Sequence, residues 1–274
     1  MNIIKGCTAI VTGGSRGLGP HIARLLAKEG VNIALTARTK NDLGETVKSF
    51  APFNIKVKAF PADLTDAASR ANLLENVKNH FGSIDILINN AGMEWVCAYS
   101  DMTPEQIETM VQTNMLAPML LSRLIIPEMI KQKKGHIVTM SSLGGKKGSP
   151  YSATYAGTKA GLIQWTSGIR QELKGTGVSA SVICPGFVSD SGMFAVYEKK
   201  APKITGETTP EKVALAVVKA IKNDIQETIV NPGLIWPMVM LDAIHPGIMC
   251  WVLDKFGVYE FYRQQAEENL KQIS

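Results

Sequence analysis

Short apolar runs alternate along this chain with longer stretches of helical period. Seven runs are rich in β-branched and apolar residues: CTAIVTGG (7–14), VNIALTAR (31–38), KVKAFPADL (56–64), IDILINNAG (84–92), GHIVTMSS (135–142), VSASVICPG (178–186) and ETIVNPG (227–233). They are near-continuous rather than alternating, as strands buried on both faces are. Between them lie helical patterns: GPHIARLLAKEG (19–30), a second before residue 56, then 66–81, 103–130, 152–174 and 210–223. Pro20 is tolerable in the first turn of its helix, and Gly30 ends that helix. Strands alternating with helices imply βαβ units with right-handed crossovers. The expected fold is therefore α/β, a doubly wound parallel sheet of about seven strands with helices on both faces. No internal repeat or linker divides the sequence, and residues 1–274 read as one domain.

Two segments depart from the alternation. Residues 187–209 are polar and carry Gly192, Pro202 and Gly206. No long helix is expected there, and the segment reads as a lid over a ligand site. Met193, Phe194 and Tyr197 either face an apolar substrate or pack the lid down. Residues 233–274 form a C-terminal extension rich in Met, Phe and Trp (Trp236, Trp251) and broken by Pro237 and Pro246. It is too interrupted to span a bilayer. Three readings stand open: a cap over the chain's own cleft, an oligomer contact, or an interfacial segment resting on a membrane surface.

With 45% hydrophobic and 19% charged residues, the chain can bury a sizeable core. Its net charge of +5 is modest, and Lys and Arg are scattered, the densest patch being Lys131–Lys134. No nucleic-acid partner is expected. A weak positive field suits an anionic small molecule better. Cys7, Cys97, Cys184 and Cys250 are isolated, with neither metal-ligand nor disulfide spacing. They are expected to be buried small hydrophobes in a reducing compartment. The N-terminus shows no export pattern, so the expected location is cytoplasmic, peripheral at a membrane if the extension touches lipid.

TGGSRGLG (Thr12–Gly19) joins the first strand to the first helix. Gly13 permits a tight turn, and Gly17 and Gly19 permit close backbone approach. The helix that follows presents free N–H groups to a phosphate. The loop is either a nucleotide site or an ordinary glycine-rich turn; it matches neither GxGxxG nor the NTPase phosphate loop. The second strand ends Thr36–Ala37–Arg38, without the carboxylate that holds the ribose of NAD. Arg38 and Arg16 are suited to a ribose 2′-phosphate, which favours NADP, unless Arg38 is only a solvated strand end.

These features, in order, resemble the short-chain dehydrogenase/reductase family. The chain carries TGxxxGxG as Thr12, Gly13, Gly17 and Gly19, NNAG as Asn89–Gly92, and YxxxK as Tyr155 to Lys159. A serine lies thirteen positions before the tyrosine (Ser142), and Pro185–Gly186 follows the sixth strand. The resemblance covers roughly residues 5–232 and implies a Rossmann fold with roles for the matching residues. Tyr155 would be the acid/base for the alcohol proton, needing help because a free tyrosine titrates near about 10. Lys159, one helical turn on, would favour the phenolate and hold the nicotinamide ribose. Ser142 would polarise the substrate oxygen, with Ser141 as rival, and Asn114 would hold a relay water. The implied NADP(H) site comprises Gly13, Ser15, Arg16, Gly17, Leu18, Gly19, Arg38, Asp63, Leu64, Asn90, Ala91, Gly92, Tyr155, Lys159, Pro185, Gly186 and Val188. No metal is implied.

Two positions stay open. Many family members have a threonine about five residues after the proline; here Asp190 stands there, between Ser189 and Ser191. Glu94, just after NNAG, is either a solvated loop residue or reaches toward substrate. The resulting expectation is an NADP(H)-dependent oxidoreductase interconverting a secondary alcohol and its ketone, with a hydrophobic small-molecule substrate of lipid, isoprenoid or steroid-like kind. A 3-oxoacyl-thioester reductase of lipid synthesis and a non-catalytic NADP sensor are the rivals. Family members usually pair through the helices at 103–130 and 152–174, so a homodimer or homotetramer is expected.

Overall fold

The computed structural model describes residues 1, 3–194, 200–202, 204–233 and 235–273. Tyr197 of the expected lid lies outside them. Seven parallel strands make the sheet: β1 (Thr8–Thr12), β2 (Asn32–Thr36), β3 (Val57–Ala59), β4 (Ile86–Asn89), β5 (Gly135–Met140), β6 (Val178–Pro185) and β9 (Glu227–Val230). Their order is β3-β2-β1-β4-β5-β6-β9. A separate two-stranded pair, β7 (Phe187–Val188) with β8 (Glu207–Thr208), closes the base of the segment expected to be a lid.

Each central strand sends alternate side chains to opposite cores. Ala9 and Val11 of β1, Ile33 and Leu35 of β2, and Ile86 and Ile88 of β4 join one cluster. It is completed by α1 (Leu18–Lys28) and α7 (Pro210–Asn223). Ile10, Ala34 and Leu87 point the other way, into the cluster built on α3 (Ala67–Phe81) and α5 (Ala117–Lys131). Burial on both faces is why these strands read as continuous apolar runs. α2 (Lys40–Lys48) and α6 (Ala153–Glu172) also cover the sheet, and α4 (Pro104–Val111) packs on α6.

Four expectations need correcting. The run at 56–64 is a strand only over Val57–Ala59, with Phe60 and Ala62 donating to the carbonyls of Leu35 and Ala37 as the chain leaves the sheet. The span at 103–130 is two α-helices joined by a π-turn over Gln112–Leu116. The extension is helical: α8 (Ile235–Ile244), α9 (Pro246–Lys255) and α10 (Val258–Ile273). Pro246 occupies the first turn of α9 and Pro237 that of α8, where a missing N–H costs nothing, so they start helices instead of breaking one. Cys7 and Cys184 are buried as expected, but Cys97 is half-buried and Cys250 exposed.

Candidate active site

The strand order reverses between β1 and β4, and a cleft of about 1280 Å³ opens at the carboxyl ends there. Loops after β1, β4, β5 and β6 wall one side of it. Gly13 (φ 64°) and Gly17 (φ 63°) adopt left-handed backbone, which glycine tolerates best. A methyl at Gly13 would lie 2.9 Å from Asn90 Nδ2, so the loop runs against NNAG with no side chain between. The two loops are tied by Thr12, whose Oγ1 accepts from both the Asn90 and Ala91 N–H groups at 2.9 Å. Asn90 Nδ2 donates back to the Thr12 carbonyl at 2.9 Å.

The cleft is lined by Gly13, Ser15, Arg16, Gly17, Leu18, Arg38, Asp63, Leu64, Asn90, Ala91, Gly92, Ser142, Tyr155, Lys159, Pro185, Gly186 and Val188. Two expected site residues stand behind its wall instead. Gly19 is buried against the Gly13 carbonyl, where a side chain would clash, so its role is helix-to-loop packing. Asn114, in the π-turn, is fully buried. Its Nδ2 donates to the Met93 carbonyl and its Oδ1 accepts from the Met93 N–H, each at 2.8 Å. A second Nδ2 bond reaches Thr158 Oγ1 at 3.3 Å. Arg16 and Arg38 are exposed at the outer end of the cleft. The Asp63 carboxyl is held below its ordinary range, first by two hydrogen bonds from Thr65 and less strongly by the Arg38 charge.

At the inner end, Ser142 begins a 3-10 turn and its Oγ accepts from the Gly144 N–H at 3.1 Å. The Ser142 hydroxyl is near enough to Tyr155 to favour its phenolate. Ser141 is turned away: its Oγ donates to the Lys159 carbonyl at 2.8 Å. Of the two serines, Ser142 faces the tyrosine. Lys159 is 3% exposed, its Nζ donates to the Met140 carbonyl at 2.9 Å, and it stands 5.5 Å from the centre of the Tyr155 ring. Burial lowers the Lys159 ammonium to about 8, with the Glu94 carboxylate pulling it back up. Tyr155 departs from expectation. Burial first, then the Glu94 charge, push its phenol above the ordinary value, and the Ser142 hydroxyl only partly opposes them.

Glu94 is not a solvated loop residue. It is half-buried in the cleft, and its Oε1 accepts from Ser152 Oγ at 2.5 Å. Burial raises its carboxyl, opposed by that bond and by Lys159. Among the three residues left open after β6, only Ser191 lines the cleft. Ser189 is spent on β8, donating to the Thr208 carbonyl, and Asp190 (φ 59°) makes the turn.

The extension contributes the far wall. Ile235, Met238 and Val239 of α8, Met249 and Leu253 of α9, and Tyr262 and Gln265 of α10 line the same cleft. Phe187, Phe194, Phe261 and Tyr262 form an aromatic cluster that seats α10 on the segment after β6. Lys147 Nζ holds α8 by an ion pair to Asp242 Oδ1 at 2.6 Å. Motif reading missed these residues because they lie beyond every family motif; only their apolar density signalled them. Met93 and Ser152 were missed because they act through backbone or through a neighbour, and Thr12 was read only as part of its motif.

The comparisons agree with this geometry. The family model for short chain dehydrogenase matches residues 7–202. The chain is 40% identical to the ketoacyl reductase HetN of Nostoc sp., over 99% of this chain and 96% of that protein. It is 29% identical to an uncharacterized oxidoreductase of Staphylococcus epidermidis, over 84% and 98% respectively. A crystal structure of a metagenomic short-chain oxidoreductase in complex with NADP superposes with a TM-score of 0.72, at 30% identity, over 84% of this chain and 99% of that one. The chain belongs to the short-chain dehydrogenase family and is an oxidoreductase of that family.

Proposed function

We propose that this protein is an NADP(H)-dependent reductase of an apolar ketone, working reversibly on the corresponding secondary alcohol. One observation carries the reading. Ser142, Tyr155 and Lys159 meet at one end of a cleft whose other end presents Arg16 and Arg38, with no carboxylate closing β2. The residues present suit the dinucleotide. Gly13 and Gly17 bring bare backbone to a pyrophosphate, α1 starts at Leu18 just beyond, and two guanidiniums stand where a 2′-phosphate is distinguished from a hydroxyl.

When bound, NADPH supplies the hydride for the carbonyl carbon. The chain's own residues do the rest. Ser142 Oγ orients the substrate oxygen. Tyr155, a neutral phenol at neutral pH, gives its proton to that oxygen as charge develops there. Lys159 stays largely protonated at pH 7 and offsets the phenolate left behind. Asn114 fixes the loop at Met93, which keeps Gly92 clear beside Lys159.

The hydrophobic substrate is supported by the walls that α8 and α9 provide. Their outer faces are apolar as well: Trp236, Met240, Ile244, Ile248 and Trp251 are all exposed. This supports a tail that also rests on a membrane surface while walling its own cleft. Among the described residues no helix is long and apolar enough to cross a membrane. Pairing of two copies through α5 is supported by the exposed stripe Leu116, Leu120 and Leu124.

A second reading, reduction of a 3-oxoacyl thioester, is favoured by the name of the Nostoc protein. Turnover of acyl thioesters in preference to free ketones decides for it. The first experiment is fluorescence titration of NADPH and NADH with the wild type and Arg38→Asp. Tighter binding of NADPH, weakened about tenfold or more in the variant (about 1.4 kcal/mol), supports the assignment; equal binding of NADH overturns it. Tyr155→Phe is expected to abolish turnover with NADPH binding kept. A wild type inactive on every carbonyl would favour a sensor.

A further inference from the structure

Two polar side chains of the cleft neither give nor take a proton in the step described above. Glu94 projects from the loop after β4. Its hydrogen bond comes from Ser152, which sits at the N-cap of α6 yet makes no side-chain bond to that helix's own N–H groups. The hydroxyl that would ordinarily cap the helix is committed to Glu94 instead. Gln265 projects from α10. It is 2% exposed and lines the cleft, and among the described residues its side-chain amide has no hydrogen-bond partner. Such a group, opening onto a cavity, is one that a ligand would satisfy.

The face of α10 that bears Gln265 is held against the loop that bears Glu94. Asn269, one turn beyond Gln265, donates to the Val96 carbonyl at 2.8 Å. Tyr259 and Tyr151 bring their hydroxyls within 3.1 Å and pin the start of α10 beside α6. Tyr262, one turn before Gln265, is close enough to Tyr155 for its charge to act there. Gln265 and Glu94 thus line one cleft, and the helix of the first is tied to the loop of the second.

We propose that Glu94 and Gln265 form a polar subsite that takes a hydroxyl group carried by the apolar ketone, apart from the carbonyl being reduced. The carboxylate accepts from this hydroxyl, and the Gln265 amide nitrogen donates to it. A carboxylate only accepts and an amide nitrogen only donates, so one hydroxyl satisfies both. Anionic groups are disfavoured beside Glu94. The substrate class is therefore a hydroxylated lipophilic ketone, a refinement that rests on the reductase reading above. A site built around such a pair rejects the analogue lacking the hydroxyl far more strongly than an apolar wall distinguishes a methylene.

The test uses matched apolar ketones, linear and polycyclic, each with and without a remote hydroxyl, reduced with NADPH by the full-length protein. The wild type is expected to favour at least one hydroxy ketone over its deoxy partner by tenfold or more in kcat/KM, mainly through KM. In Gln265→Met and in Glu94→Ala that ratio is expected to fall to within about threefold, with NADPH binding by fluorescence reporting a folded protein. Equal turnover of every pair by the wild type, or a ratio unchanged in both variants, overturns the subsite and leaves the reductase reading standing. Failure to reduce any ketone overturns both.

Discussion

Lys159 and Tyr155 are displaced in opposite directions by the same burial. The lysine is lowered to about 8 and the phenol is raised. The proposed ketone reduction needs the phenol protonated and the ammonium charged. The raised tyrosine keeps its proton well past neutrality, so the lysine is the first of the pair to lose one as pH rises. The pH profile of kcat/KM for reduction is accordingly expected to be flat through neutral pH and to fall above about pH 8. Glu94 sharpens this test. Its charge raises Lys159, so Glu94→Gln should move the basic limb to lower pH, and a limb that stays put would remove Glu94 from the electrostatics. A lysine whose folded value lies below its ordinary 10.5 is less protonated in the native state. Its burial therefore costs stability at neutral pH, and that cost is relieved as pH rises from about 8 toward 10.5.

The π-turn Gln112–Leu116 decides where Asn114 points, and inserted turns of this kind recur at functional sites. The Asn114 side chain satisfies both backbone groups of Met93. Asn114→Ala leaves the half-buried N–H and carbonyl of Met93 without their partner and should cost about 1–3 kcal/mol by denaturant unfolding. Turnover should fall with it, because Gly92 lies between Asn114 and Lys159: a methyl there would be 3.3 Å from one and 3.4 Å from the other. An unchanged midpoint in denaturant would mean the loop holds itself. In the sequence, Asn114 is visible only through the family resemblance. Nothing in VQTNML shows that its helix changes pitch, since side-chain pattern does not report a one-residue shift in hydrogen bonding. Ser142 and Ser141 were likewise separable only by a spacing rule until the structure showed Ser141 bonded to the Lys159 carbonyl.

At the scale of the whole molecule, α8 and α9 are apolar on the face toward the cleft and on the face toward solvent. Helices of that kind are ordinarily buried, and a lipid surface would cover the outer face. Flotation with phosphatidylcholine vesicles should carry the wild type. Trp236→Lys with Trp251→Lys should leave the protein in the soluble fraction with turnover of short, soluble ketones kept. No flotation of the wild type would reassign the face to protein contact. The α5 stripe bears on assembly separately: light scattering should give a dimer or tetramer, and Leu120→Glu should shift it toward monomer. A wild type that is monomeric at micromolar concentration would refute pairing through α5.

The seven strands, their parallel sense and the placement of the motifs at strand ends were determined by the sequence alone. Burial on both faces imposes continuous apolar runs, and a glycine loop or a Tyr-x-x-x-Lys pair needs only local spacing. Three things were decided by the tertiary structure. Whether the tail walls its own cleft depends on long-range contacts such as Lys147 with Asp242 and Asn269 with Val96, which no local pattern encodes. The direction of the Tyr155 shift depends on how deeply the cleft buries it and on a carboxylate 61 positions away in the chain. Gln265 is an ordinary polar residue of a helical stretch until folding buries it on the wall of the cleft.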